Sequence, residues 1–274
     1  MSTRPACATV MKTILLDVGG TFIKCSDGRE IPMDSAGSRE AIAASLREAV
    51  GDALEVAVAI PGPFDYGRGV FLMKHKFAAV YGESFADLVG SQPPESFRFV
   101  HDVNGMLLGA LQNPEFSKYG RVALITLGTG LGFAISVNGQ LQCNEAGSPA
   151  VPLYNRPYLD GIAEDYVSKR GIMRSWCEIA GKPWPEGQTV KDVALSPEGK
   201  EVFARTGAYL AEAAAPLLQE LGIECLLLGG QIAKSFGLME ETLRSGLAGV
   251  PSLESVSVLP NLDAATFDGL RALL

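Results

Sequence analysis

Two stretches of this chain repeat one design, and the repetition restricts the possible folds more than any other feature. The first, ILLDVGGTFIKCSDG, runs from Ile14 to Gly28. The second, VALITLGTGLGFAISVNG, runs from Val122 to Gly139. Each has an apolar run, a Gly-rich turn, a second apolar run and then Asp-Gly or Asn-Gly. Those closing dipeptides suit tight hairpins, because both positions tolerate positive φ. The spacing is far too wide for a solenoid. The echo therefore predicts a duplicated architecture, one Gly turn per half, with a cleft between two lobes as the natural meeting place.

The rest of the chain fits an α/β reading. Short apolar runs bounded by Gly, Pro, Asn or Asp predict further strands at Glu55–Ile60, Gly69–Met73, Phe97–His101 and Cys225–Leu228. Helices are predicted at Ser38–Ala49, Ser84–Val89, Asn104–Gln112, Ile162–Ala180, Glu198–Leu221 and Gly237–Ala248. Ser38 and Ser84 have the chemistry of helix N-caps. The expected division is an N-terminal lobe at 12–112 and a C-terminal lobe at 113–274, with room for the last helix to pack back on the first.

Composition narrows the function. The 274 residues are 47% hydrophobic and 20% charged, which suits a folded protein with a sizeable core. The formal charge of −8, with no Lys/Arg cluster, argues against nucleic acid and anionic membranes as partners. No apolar run approaches the ~20 residues that span a bilayer. The run at Thr13–Leu16 is stopped by Asp17 and does not read as a signal peptide. Residues before Met11 read as a disordered leader or an upstream start. Cys7, Cys25, Cys143, Cys177 and Cys225 are scattered, odd in number and without a C-x-x-C pair, as in reduced thiols of a cytoplasmic protein.

Four motifs carry candidate chemistry. In Asp17-Val18-Gly19-Gly20-Thr21-Phe22-Ile23-Lys24, adjacent glycines let the backbone approach a phosphate. Thr21 adds a hydroxyl, Lys24 a positive charge, and Asp17 a carboxylate able to hold Mg²⁺ through water. The plainer reading is a tight hairpin. Gly128-Thr129-Gly130 repeats the cradle, against the alternative of a glycine bulge. Gly229-Gly230-Gln231 follows an apolar strand and suits a nucleoside lying on the turn, or simply a tight strand-to-helix junction. Asp102 follows the run Phe99-Val100-His101, a place that presents a side chain at a strand's carboxyl edge. It can accept a hydroxyl proton, or merely cap the helix after it.

Taken together, these motifs resemble the ROK family of bacterial sugar kinases, within the hexokinase/actin superfamily, over nearly the whole chain. DVGGTFIK is similar to the family's first phosphate motif, and AIPGPFDYGRGV at Ala59–Val70 to its Pro-Gly segment. HDVNGMLLGAL resembles the stretch holding the catalytic Asp, which passes that role to Asp102. LGTGLGF resembles the second phosphate motif, and LLLGGQI the adenosine motif. The resemblance implies a two-lobed actin/hexokinase-like (ribonuclease H-like) fold. It also implies ATP with Mg²⁺, a small-molecule sugar as acceptor, and phosphoryl transfer to a hydroxyl. A homodimer stays open.

Departures gather at the sugar end. His101 stands where the family usually has Asn, and Lys76 near a position that is often a sugar-binding Asn. Glu145 fits the family's Glu-x-Gly-His stretch, but Ser148 replaces the His that binds sugar and zinc. The loop from Tyr154 to Glu164 has no cysteine, so no structural zinc is expected. Its end, Gly161-Ile162-Ala163-Glu164, resembles the family's Gly-Cys-Leu-Glu and leaves Glu164 a sugar-contacting role. The expected acceptor-binding residues are thus Lys76, His101, Glu145, Ser148 and Glu164. Two other classes compete: a non-catalytic sensor on the same fold, and a DNA-binding repressor, for which the short leader and acidic charge speak against.

Overall fold

The structure, a computed structural model, describes residues 12–90 and 92–274; the leader and Cys7 lie outside them. The described chain divides into two compact units. The first takes residues 12–102 with Ala146–Ser148 and Leu270–Leu274. The second takes Val103–Glu145 and Pro149–Gly269. The division falls after Asp102, earlier in the chain than the expected boundary at 112.

The first unit contains β1 (Thr13–Val18), β2 (Phe22–Cys25), β3 (Glu30–Pro32), α1 (Arg39–Val50), β4 (Glu55–Ile60), β5 (Phe64–Asp65), β6 (Val70–Phe71), α2 (Phe85–Val89) and β7 (Phe97–His101). Its main sheet has the order β3-β2-β1-β4-β7. β1 and β2 form the first Gly-turn hairpin, and β1, β4 and β7 run parallel. β4 reads EVAVAI with five of six residues buried, the pattern of a central parallel strand covered on both faces. α1 buries Ile42, Ala43, Leu46 and Ala49, one helical stripe. It starts where expected, with Ser38 accepting the Ala41 N–H, as α2 does with Ser84 and the Asp87 N–H. Phe64, Phe71, Phe77, Phe85 and Phe97 pack into one core.

The second unit begins in α3 (Asp102–Ala110) and continues through α4 (Pro114–Ser117), β8 (Arg121–Leu127), β9 (Leu131–Val137), β10 (Gln140–Leu141), β11 (Pro157–Tyr158) and β12 (Gly161–Ile162). There follow α5 (Ala163–Val167), α6 (Lys169–Ala180), α7 (Val190–Leu195), α8 (Gly199–Glu220), β13 (Cys225–Gly229), α9 (Glu240–Leu247), β14 (Ser255–Val258) and α10 (Leu262–Arg271). The sheet order β10-β9-β8-β13-β14 repeats that of the first unit. An antiparallel hairpin, β8/β9, again feeds parallel neighbours, β13 and β14. The duplication read from two Gly turns thus extends to whole sheets. Two apolar clusters form around this second sheet. α3 and α10 meet backbone to backbone, for a Cβ on Gly109 would overlap the Ala265 carbonyl, and one on Gly269 that of Gly105.

Some expectations need correction. The helix expected over Ile162–Ala180 is two, because Ser168 is extended (φ −87°, ψ −176°) between α5 and α6. The strand expected at Gly69–Met73 shrinks to Val70–Phe71, since Gly69 turns through φ 70°. The helix expected from Gly237 starts at Glu240, after a 3₁₀ stretch (Ile232–Leu238) kinked at Ser235. β3, β14 and α10 had no counterpart in the sequence reading. Among the described residues no helix is long and apolar enough to cross a membrane.

Candidate active site

In the first unit, register places the candidate residues along one sheet edge. Asp17 lies level with Ala59, and Ala59 with Val100; Ile60 is level with His101. The carboxyl ends of β1, β4 and β7 therefore lead into Gly19-Gly20, Pro61-Gly62 and Asp102. Such an edge is where parallel α/β sheets place ligands. The Gly19 N–H donates to the Phe22 carbonyl at 2.9 Å and closes the turn. The N–H groups of Gly20 and Thr21 have no acceptor among the described residues.

The turn is braced from one side. The Ser35 N–H donates to the Gly20 carbonyl, the Met33 N–H to that of Thr21, and the Phe77 N–H to that of Ser35. Phe77 is fully buried and sits at φ 52°, a costly conformation for an aromatic residue. The bracing puts Lys76, half-buried, beside the turn, with its Cδ 4.0 Å from where a Gly20 Cβ would be. Lys24 faces Asp17 across the β1/β2 pair. Asp17 is half-buried near the end of β1.

Asp102 opens α3, directly after β7, and its side chain is 45% exposed, within reach of a ligand. His101 Nδ1 lies 2.8 Å from Asp102 Oδ1. Ser148 belongs to the short segment that joins this unit, where the Ala146 carbonyl accepts the Tyr66 N–H at 3.0 Å.

In the second unit, the parallel pairing of β8 and β13 sets Gly229 level with Thr126, so the second and third Gly motifs end side by side. Gly230 adopts φ 86°, and any Cβ there would overlap the Leu127 backbone; only glycine allows so close an approach. The Gly128 N–H closes its own turn onto the Gly130 carbonyl at 3.0 Å, while those of Thr129 and Gly130 lack an acceptor among the described residues. The same division of labour thus holds in both hairpins. Gly230 and Gln231 border a pocket of about 150 Å³ lined also by Lys234, Val258, Asn261 and Asp263.

Glu164 is tied into the second unit. Its Oε2 accepts the Leu131 N–H at 2.9 Å, and its Oε1 pairs with Arg170, which also reaches Asp165 at 3.0 Å. The Lys169 N–H donates to the Gly128 carbonyl at 2.9 Å. The starts of α5 and α6 thereby fasten the second Gly turn. Arg170 and Lys169 were invisible in the sequence reading, since nothing in a helix's first turn announces a bond to a distant hairpin. Glu145 is exposed. Among the described residues no three His, Cys, Asp or Glu side chains gather as a metal-holding group.

The model of the ROK family matches residues 35–150, which bears out the resemblance read from the motifs. No curated protein sequence matches the chain. Solved structures share its fold across almost its whole length. A glucokinase from Parabacteroides distasonis is 18% identical with a TM-score of 0.73, covering 95% of this chain and 96% of its own. A ROK family glucokinase from Streptomyces griseus, in complex with glucose and AMPPNP, is 19% identical with a TM-score of 0.72, covering 95% and 98%. A ROK family transcriptional regulator, a homologue of the Escherichia coli Mlc protein, is 16% identical with a TM-score of 0.73, covering 95% and 80%. The two-lobed α/β fold of these structures is thus the fold of this chain.

Proposed function

We propose that this chain transfers the terminal phosphoryl group of ATP to a hydroxyl of a sugar-like acceptor, with Asp102 as general base. One observation carries the reading: a reachable carboxylate stands on the same sheet edge as a Gly-Gly-Thr turn with unsatisfied N–H donors. Gly20, Thr21, Thr129 and Gly130 would donate to phosphate oxygens, and Gly229, Gly230 and Gln231 would border the nucleoside. Asp17 would hold a Mg²⁺ through water, and that ion would neutralise charge on the phosphates. Asp102 accepts the acceptor's hydroxyl proton as that oxygen bonds to phosphorus and the bond to ADP breaks. Lys76 and Ser148 belong to the acceptor side, with Lys76 favouring an acceptor that carries negative charge.

The competing reading is a sensor that binds the same ligands without turnover; Ser148 in place of a His favours it. ADP release, measured across hexoses, amino sugars, sugar acids and polyols, separates the two. Asp102→Asn should lower kcat by ~10²–10⁴-fold with ATP affinity kept. Asn caps a helix about as well as Asp, so a purely capping Asp102 would leave turnover intact.

A further inference from the structure

We propose that His101 is the positioning residue for Asp102, an assignment that rests on the kinase reading above. The resemblance to sugar kinases implied an acceptor contact for this residue. The geometry points to a different task.

His101 Nδ1 lies 2.8 Å from Asp102 Oδ1, and since a carboxylate only accepts, a hydrogen bond at that distance requires the proton on Nδ1. The bond is charge-assisted and stronger than a neutral one. His101 is the inner partner, 18% exposed against 45% for Asp102. It is the less mobile member of the pair and can hold the other.

The imidazole is itself held. Its ring lies 5.8 Å from that of Tyr66, tilted by 50°. On another side it lies beside Gly62, where a Cβ would be in ordinary contact with it, 3.4 Å from His101 Cδ2 and 3.5 Å from Nε2. Tyr66 is 8% exposed, and its hydroxyl donates to the Ile60 carbonyl at 2.9 Å. Ile60 is the residue level with His101 on the neighbouring strand. The Tyr66 N–H is anchored to the Ala146 carbonyl, and Gly147 (φ 87°) lies against its side chain, where a Cβ would come 2.9 Å from Tyr66 Cβ. A continuous line of contacts therefore runs from Ala146-Gly147 through Tyr66 to His101 and Asp102. It starts in the stretch between Glu145 and Ser148 that the resemblance gives to the acceptor.

A base acts only when its oxygen meets the reacting proton, and a misplacement of about 1 Å can cost ~10²-fold in rate. A carboxylate on the first residue of a helix turns freely about χ2 unless something fixes it. The contact with His101 Nδ1 supplies one such constraint.

Two variants and one spectrum test the assignment on the full chain. His101→Leu keeps apolar bulk but has no donor. His101→Asn has an amide nitrogen two bonds from Cβ, as Nδ1 is, and can donate from the same place. With ATP and whichever acceptor the wild type takes, His101→Leu should lower kcat by roughly 10–100-fold, with KM for ATP little changed, and His101→Asn should recover most of the loss. The ¹⁵N signals of the wild-type imidazole should show a protonated Nδ1. The chain has two histidines, so His75→Gln assigns them. An Nε2–H tautomer, an unimpaired His101→Leu, or an effect confined to the acceptor KM overturns the positioning role alone. A wild type that turns over no acceptor overturns the kinase reading, and this assignment with it.

Discussion

The cleanest perturbation of the nucleotide site is Gly128→Val. A Cβ at Gly128 would meet no atom within 4 Å, and the residue is not in the left-handed region, so the chain itself has room for a branched side chain. The bond that closes the turn, from the Gly128 N–H to the Gly130 carbonyl, involves no side chain and survives the change. Stability should therefore move by no more than about 0.5 kcal/mol, as for an ordinary surface substitution. The open space beside Gly128 is, on the kinase reading, where phosphate oxygens approach Thr129 and Gly130. Filling it should cost at least one hydrogen bond to a charged group, roughly 1.5–3 kcal/mol, or ~10–150-fold in Kd. Calorimetric titration with a non-hydrolysable ATP analogue reads the affinity, and a thermal melt reads the fold. A variant that melts like the wild type and binds the analogue equally well refutes the reasoning. Gly229→Val is a poorer probe, because its Cβ would come 3.0 Å from Met106 Sδ and the core would have to shift.

Other expected outcomes concern separate parts of the molecule. Glu164→Gln weakens the tie to Arg170 that steadies the second Gly turn, so the KM for ATP should rise more than that for the acceptor; the reverse would restore Glu164 to the sugar side. Burial pushes the Cys225 thiol up to about 11 from an ordinary 9.0. An acid whose pKa folding has raised favours the native state below its ordinary pKa and loses that contribution as pH climbs through the raised one. The melting temperature should thus fall between pH 9 and 11, less steeply in Cys225→Ala; parallel slopes would count against the buried thiol as the cause. Gly109→Ala forces a methyl group into the Ala265 backbone and should cost about 1–3 kcal/mol or more in chemical denaturation, while a neutral result would mean that α3 and α10 do not pack so closely.

The parts of this fold that sequence reveals are those whose signal is local. Both hairpins were legible because glycines, apolar runs and a closing Asp-Gly or Asn-Gly lie within twenty residues of one another. Ser38 and Ser84 were legible as caps for the same reason. α10 was not: LDAATFDGLR carries small residues where a core helix usually has large ones, because it packs on backbone rather than side chains. Tyr66 lay inside a quoted motif without a role, since its partners Ile60, His101 and Ala146 come together only through the sheet and a distant loop. Glu164 was visible as a candidate, but its bond to Leu131 depends on where α5 meets β9. That the first glycine's N–H in each turn closes the turn was not legible either, since it depends on the turn's own geometry.

The glycine contact between α3 and α10 also imposes an order in time. A chain is made from its N-terminus, and early segments generally fold as they emerge. β1 to β7 can pair while the rest is still being made, but α3 then has one bare face of backbone, around Gly105 and Gly109. Its cover, α10, is Leu262–Arg271, beyond the last described strand, β14. The helix that begins with Asp102 is therefore completed only after every described strand has been made, and a nascent chain stalled before Leu262 would hold both Gly-turn hairpins while that helix still lacked its neighbour.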